Sequence, residues 1–178
     1  PVLAGEQTFK DIVLNPLEWY EENGIRLHLG KSVSHIDRKR RIVVADDGTE
    51  APYDRLLIAT GSQPFILPVP GAKLKGVITY RDIGDTQAMI DAASVKRRAI
   101  VIGGGLLGLE AANGLKLRGM DVTVVHLAST LLERQLDENA GRLLQRSLEA
   151  RGLDFLLAKA TSEIIGNEAG EVAGVRFK

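Results

Sequence analysis

The feature that most constrains the fold is a glycine-rich segment that directly follows an apolar run. Residues 99–110 read AIVIGGGLLGLE, so Gly103, Gly105 and Gly108 have the spacing Gly-x-Gly-x-x-Gly. In a phosphate-binding loop the first glycine permits a tight turn, the second leaves room for a pyrophosphate against bare backbone, and the third lets helix and strand pack closely. The segment therefore predicts a buried strand, a dinucleotide-binding loop and a helix; the alternative is a plain strand-to-helix turn.

The chain around this loop alternates between helix and strand patterns, which favours a parallel sheet with helical crossovers. Beyond residue 81 the predicted elements are helix 82–94, strand 98–103, helix 106–119, strand 121–127, helix 137–152, strands at 153–158 and 160–165, and a final hairpin strand. Asp137 is the predicted N-cap of the last long helix. We therefore predict an α/β fold of the Rossmann-like FAD/NAD(P)-binding type for this region.

The first part of the chain predicts a smaller, mostly β structure. Its predicted short strands span 25–30, 32–37 and 41–48, and the Asp47-Gly48 turn closes the last of them into a small β-meander. Residues 53–64, YDRLLIATGSQP, predict a buried strand because four apolar residues precede Thr60-Gly61. A stiff proline-rich connection follows. We accordingly place one domain at 1–80 and a second at 81–178.

His126 occupies the position that usually reads the adenine ribose of a bound dinucleotide. It lies 23 residues after Gly103, close to the ~20 expected for an acidic ribose-binding residue. A carboxylate there would accept bonds from the ribose hydroxyls and repel a 2′-phosphate, whereas a histidine does neither strongly. Ser129, Thr130 and Arg134 are close enough in sequence to help hold a phosphate. Both NADH and NADPH therefore stay open as the bound nucleotide. The alternative is that His126 binds neither and only caps the strand, in contact with solvent.

Composition narrows the classes of partner. The chain has 23 basic and 23 acidic side chains, so no net charge attracts nucleic acid or an anionic membrane. No apolar run approaches the ~18 residues needed to span a bilayer. The absence of cysteine excludes disulfides and thiolate metal sites within these residues, and the histidines lack metal-ligand spacing. We expect a cytoplasmic protein with no metal ligands and no nucleic-acid or membrane partner.

Several motifs in a fixed order resemble a known family. YDRLLIATGSQP, LPVPG, YRDIGD and AIVIGGGLLGLEAANGLKLRGMDVTVV occur in this order along the chain. They resemble the FAD-dependent pyridine nucleotide–disulfide oxidoreductase superfamily. The segments ENGIRLHLG, GGGLLGLEAA and LLERQLDENAGRLLQRSLEARG are most similar to the large subunit of NAD(P)H-dependent assimilatory nitrite reductase. The resemblance covers essentially the whole chain.

The resemblance implies cofactor-binding roles for particular residues. Ala59-Thr60-Gly61 match the second FAD motif, Val33 matches a position whose backbone meets the adenine, and Glu110 falls near the nicotinamide carboxamide. Glu110 is otherwise an ordinary acid in the first turn of a helix. Because the cofactors carry the chemistry in such enzymes, we assign no catalytic side chain. The candidate cofactor-binding residues are Val33, Ala59, Thr60, Gly61, Gly103, Gly105, Leu106, Leu107, Gly108, Glu110, His126 and Arg134.

The resemblance further implies a flavoprotein reductase that passes hydride from NAD(P)H to FAD and feeds electrons to a nitrite reductase centre. An NADH oxidase, a ferredoxin-type reductase and a non-catalytic NAD(P)H-binding module are the alternatives. The chain starts at Pro1 and stops within a predicted strand at Lys178, so we expect a fragment truncated at both ends. The first FAD motif, the closing strand of the NAD(P)H domain, and the iron–sulfur and sirohaem domains or a small subunit would then lie outside it. We expect an incomplete FAD site and no activity from the fragment alone.

Overall fold

A computed structural model describes residues 1–178. The helices are α1 (Leu17–Glu22), α2 (Ile83–Val95), α3 (Leu106–Leu117) and α4 (Glu138–Glu149). The strands are β1 (Val33–Asp37), β2 (Ile42–Ala45), β3 (Glu50–Pro52), β4 (Arg98–Ile102), β5 (Asp121–Val125), β6 (Asp154–Leu156), β7 (Thr161–Gly166) and β8 (Val172–Phe177). The chain forms two compact units: a larger unit of Pro1–Ile12 with Gln63–Lys178, and a smaller unit of Val13–Ser62. The division into domains at 1–80 and 81–178 stays a prediction.

The larger unit is built on a parallel sheet in which β5 lies between β4 and β6. Strand β4 pairs with β5 from Arg98↔Asp121 to Ile102↔Val125, and α3 is the crossover that connects them. Val122 and Val124 point from β5 into a core that they share with Ala112 and Leu115 of α3. Burying one such valine or leucine stabilises the fold by about 1.5–3 kcal/mol. The predicted α/β fold with a parallel sheet and crossover helices is confirmed.

Two helices of the larger unit begin with an aspartate cap, and the third does not. The Asp82 carboxylate accepts a 2.9 Å hydrogen bond from the Asp85 N–H at the start of α2. Asp137 accepts one of 2.9 Å from the Ala140 N–H at the start of α4, as predicted. The N-cap residue of α3 is Gly105, which has no side chain to cap the helix. The first N–H groups of α3 are therefore left for another acceptor.

The N-terminal segment of the larger unit is tied to α3. The Arg118 guanidinium donates to the carbonyl oxygens of Val2 and Leu3, at 3.0 and 2.5 Å. Leu3 is buried against Gly114, where an added Cβ would come within 2.7 Å of the leucine side chain. This contact extends the core that holds the helix behind the glycine-rich segment.

The smaller unit contains the predicted antiparallel meander, in the order β1-β2-β3. The third strand is Glu50–Pro52 and not the predicted 25–30, because the turn at Asp47-Gly48 folds the chain back onto β2. The Ala45 N–H closes this turn by donating to the Thr49 carbonyl at 2.9 Å. The two strands that the turn joins are thus neighbours in both sequence and space.

The prediction of a buried strand within residues 53–64 is wrong. This segment is irregular, and no strand of the chain pairs with it. Leu57 and Ile58 are 87% and 66% exposed. An apolar run forms a strand only where a neighbouring backbone completes the ladder of hydrogen bonds, and no strand lies beside these residues.

Candidate nucleotide-binding site

The glycine loop, residues 103–108, has the backbone geometry that a phosphate-binding turn requires. Gly103 has φ +130°, a conformation that side-chain-bearing residues rarely adopt, and its N–H donates to the Val125 carbonyl at 2.8 Å. A Cβ on Gly108 would lie 2.0 Å from the Gly103 carbonyl oxygen, so α3 packs directly on the end of β4. A Cβ on Gly105 would meet nothing within 4 Å. The loop therefore keeps open space at its second glycine and close packing at its third.

The start of α3 faces this open space with unpaired donors. Leu106 and Leu107 begin the first turn of α3, and they are 63% and 50% exposed. No side chain accepts from the helix N-terminus, whose dipole favours a negative charge. Space, free N–H groups and a positive dipole meet at the carboxyl ends of β4 and β5, which fits the pyrophosphate of a dinucleotide.

His126 follows β5 and packs beneath the glycine loop. Its Nδ1 accepts a 3.1 Å hydrogen bond from the Gly104 N–H, and a Cβ on Gly104 would lie 2.8 Å from the imidazole ring. The side chain is only 11% exposed. His126 is therefore more than the solvent-facing strand cap of the alternative hypothesis, because the imidazole fixes the position of the loop backbone.

The second imidazole nitrogen contacts a carboxylate that the sequence did not single out. His126 Nε2 lies 3.0 Å from Glu133 Oε2. Because Nδ1 accepts from Gly104, the hydrogen-bond pattern assigns the ring proton to Nε2, which donates to Glu133. This bond, followed by one from the Glu133 backbone N–H, lowers the pKa of the Glu133 carboxyl below its ordinary value. The only sequence signal for Glu133 is an acid seven residues after His126.

Residues 127–136 form a loop that is packed against the glycine loop. The Leu132 N–H donates to the Gly104 carbonyl at 3.1 Å, with Leu132 at φ +52°. Leu131 is fully buried, and a Cβ on Gly141 would meet its carbonyl oxygen at 2.9 Å. Both backbone polar groups of Gly104 are thus bonded, the N–H to His126 and the carbonyl to Leu132. The left-handed conformation of Leu132 is the strained geometry, worth ~1–3 kcal/mol, that this packing maintains.

The remaining predicted residues lie in different surroundings. Arg134 is exposed beside Glu133 and its charge contributes to lowering the pKa of that carboxyl. Glu110 is exposed on α3, and its charge adds to burial in raising the pKa of the Tyr80 hydroxyl. Val33, Ala59, Thr60 and Gly61 belong to the smaller unit, where they are exposed and Ala59–Gly61 has no regular structure. Their predicted roles stay predictions.

A cavity of the larger unit touches the glycine loop at Leu107. It has a volume of about 280 Å³ and extends from Leu107 past Tyr80 and Thr86 to the N-terminal Leu3. A second depression, of about 540 Å³, follows residues 66–74 and contacts no part of the loop. The chain has no cluster of three or more His, Asp or Glu side chains suited to a metal ion. None of the helices is both long enough and apolar enough to cross a bilayer.

Comparison with known proteins agrees with this geometry. Residues 2–177 match the family described as pyridine nucleotide-disulphide oxidoreductase. The chain is 54% identical to "Nitrite reductase [NAD(P)H]" of Bacillus subtilis and 49% identical to the "Assimilatory nitrate reductase electron transfer subunit" of the same organism, over 99% of its length in both cases. It covers 22% and 23% of those proteins, so it spans less than a quarter of the length of the curated relatives it matches.

A solved ferredoxin reductase from Rhodopseudomonas palustris superposes with a TM-score of 0.88 at 25% identity. The superposition covers 95% of this chain and 41% of that one. The predicted resemblance to the reductase superfamily and to nitrite reductase large subunits is confirmed. The chain belongs to the pyridine nucleotide-disulphide oxidoreductase family.

Proposed function

We propose that this chain is the NAD(P)H-binding part of a flavoprotein reductase that passes electrons from NAD(P)H through FAD to a nitrite-reducing centre. The observation that carries this proposal is the glycine loop, with open space at Gly105 facing the uncapped N-terminus of α3. The likeness to nitrite reductases supports the choice of acceptor. Iron–sulfur and sirohaem groups or a small subunit would belong to other parts of the whole protein.

The residues of the larger unit fit a dinucleotide. The backbone of Gly105, Leu106 and Leu107 would hold the pyrophosphate, because their N–H groups lie at the helix N-terminus. The His126 side of the loop would then receive the adenine ribose, and Glu110 would lie toward the nicotinamide. When bound, the nicotinamide supplies hydride and the flavin accepts it. The protein side chains bind and orient; none is assigned a catalytic role.

The residues predicted for FAD do not form a comparable site. Ala59–Gly61 lies in an exposed, irregular segment, where no ladder of strands presents its backbone to a ligand. We therefore propose that this chain alone does not hold FAD and is inactive by itself. A purified sample should be colourless, and retained yellow flavin would contradict this part of the proposal.

A substitution at Gly105 tests the proposed function without disturbing the fold. Gly105 has φ −84° and open space around its Cβ position, so alanine fits the folded chain but its methyl group occupies the space for phosphate. Gly174→Ala is the matched control, because Gly174 also has open space and lies in β8. We expect calorimetric titration to show NADH or NADPH binding in the unsubstituted protein and in Gly174→Ala. The dissociation constant should rise at least tenfold in Gly105→Ala.

Two results would contradict the proposal: binding of neither nucleotide by the unsubstituted protein, or undiminished binding by Gly105→Ala. A ferredoxin-type reductase is the second candidate acceptor system, favoured by the close superposition on a ferredoxin reductase. The two differ in the whole protein, since a nitrite reductase carries iron–sulfur and sirohaem absorbance. A purified whole protein that shows only flavin absorbance would favour the second candidate.

A further inference from the structure

We infer that Glu133, positioned by His126, binds the adenosine ribose and makes this site select NADH over NADPH. This inference rests on the proposed function, because it names the ribose-binding group of that same site. The carboxylate that binds the ribose then lies on the loop after β5, and not directly at the end of the strand. The sequence position at the strand end left the choice of nucleotide open.

The hydrogen bonds of His126 leave its ring no free nitrogen for a ribose. Nδ1 accepts from the Gly104 N–H at 3.1 Å, and Nε2 lies 3.0 Å from Glu133 Oε2. The ring is also 89% covered, since 11% of the side chain is exposed. The imidazole is thus a spacer of fixed length between the glycine loop and the carboxylate. The group that stays accessible to a ligand is the Glu133 carboxylate, on the loop that follows β5.

Glu133 has the exposure and the charge that ribose recognition requires. Its side chain is 41% exposed, so a ligand reaches the carboxylate while one oxygen stays bonded to His126. The bond from His126 favours the ionised form of the carboxyl. An ionised carboxylate accepts hydrogen bonds from the 2′- and 3′-hydroxyls of NADH and repels the 2′-phosphate of NADPH.

Arg134 is the cation that would favour the opposite outcome. It adjoins Glu133 in the sequence and is exposed, and a guanidinium is a good phosphate ligand. Arg134 makes no hydrogen bond or ion pair that fixes it near the loop, whereas Glu133 is fixed to the glycine loop through His126. A fixed anion at this place outweighs an unfixed cation, so NADH is the favoured nucleotide.

The test compares the dissociation constants of NADH and NADPH in matched variants. Glu133→Gln removes the charge but keeps an oxygen that can accept from His126 Nε2–H. His126→Phe keeps a ring under Gly104 and releases the carboxylate. Glu149→Gln is the control, since it neutralises an exposed carboxylate at the far end of α4. Calorimetric titration with each nucleotide gives the ratio, and circular dichroism checks that each variant is folded.

The unsubstituted protein and Glu149→Gln should bind NADH at least tenfold more tightly than NADPH. This preference should fall at least tenfold, or about 1.4 kcal/mol, in Glu133→Gln and in His126→Phe. The double variant should lose no more than either single variant, because both substitutions remove the same contact. General loosening of the loop would weaken both nucleotides alike and leave the ratio unchanged.

A preference for NADPH in the unsubstituted protein, or an unchanged ratio in Glu133→Gln, would overturn the inference and leave the proposed function intact. Binding of neither nucleotide by the unsubstituted protein would overturn the proposed function, and the inference with it.

Discussion

Replacing Gly108 with alanine should destabilise the larger unit, although alanine favours helices. Alanine gains about 1 kcal/mol over glycine in a helix interior. At Gly108, however, the new Cβ would lie 2.0 Å from the Gly103 carbonyl oxygen and 3.0 Å from its carbon, both backbone atoms. Relieving that overlap requires α3 or the end of β4 to move, and such overpacking costs about 1–3 kcal/mol. A backbone carbonyl cannot rotate out of the way as a side chain can, so we expect a cost near the upper value of about 3 kcal/mol. After subtraction of the gain in helix propensity, the free energy of unfolding should fall by about 2 kcal/mol.

Gly114→Ala in the same helix separates the two contributions. Alanine again gains helix propensity there, but its Cβ would meet only side-chain atoms of Leu3, which can adjust their rotamer more readily than the backbone carbonyl of Gly103 can move. We expect Gly114→Ala to remain within about 1 kcal/mol of the unsubstituted protein. With a urea m-value of roughly 2 kcal/mol/M, the Gly108→Ala midpoint should fall about 1 M lower. Equal midpoints for the two variants would refute the close contact between α3 and β4.

Two further predictions concern a helix cap and a carboxylate. Asp137→Ala removes the 2.9 Å acceptor of the Ala140 N–H and should cost about 1 kcal/mol in urea unfolding; Asp137→Asn should recover most of this loss, and equal stability of Asp137→Ala and the original would argue against the cap. The pKa of the Glu133 carboxyl in the folded protein lies below its ordinary value of 4.5, chiefly because of the hydrogen bond from His126. The ionised carboxylate therefore stabilises the folded protein above pH 4.5, and this stabilisation is lost as the pH falls through the folded pKa. The stability difference between the unsubstituted protein and Glu133→Gln should therefore shrink as urea titrations move from about pH 5 to about pH 3, and a difference that grows would contradict the assignment.

The central part of the fold could be predicted because local and long-range preferences agree there. Three local patterns each predict an element that the structure contains. The apolar run predicts β4, the glycine spacing predicts the loop before α3, and the acidic cap at Asp137 predicts the start of α4. The meander was predictable as a class of structure, but Glu50–Pro52 was not identified as its third strand. Its proline and flanking turn give a weak strand pattern, and only pairing with β2 makes it one.

The failures have a common physical origin in contacts that the sequence pattern does not contain. The run of apolar residues before Thr60 satisfies every local requirement for a buried strand, yet the structure offers it no neighbouring strand. Glu133 was missed because its partner, His126, is brought to it by a folded loop. A ribose-binding acid is expected directly after a strand, at the place of His126, and no spacing rule indicates one seven residues further along the chain.

The double attachment of Gly104 has a kinetic and entropic consequence. With the Gly104 N–H bonded to His126 and the Gly104 carbonyl bonded to Leu132, the two peptide groups on either side of its Cα are ordered before any ligand arrives. A nucleotide that docks on the glycine loop then loses its own freedom but need not freeze that of the loop, which is a large part of what binding normally costs. The loop is therefore preorganised for binding. Differences in nucleotide affinity among variants should appear in the rate of dissociation more than in the rate of association.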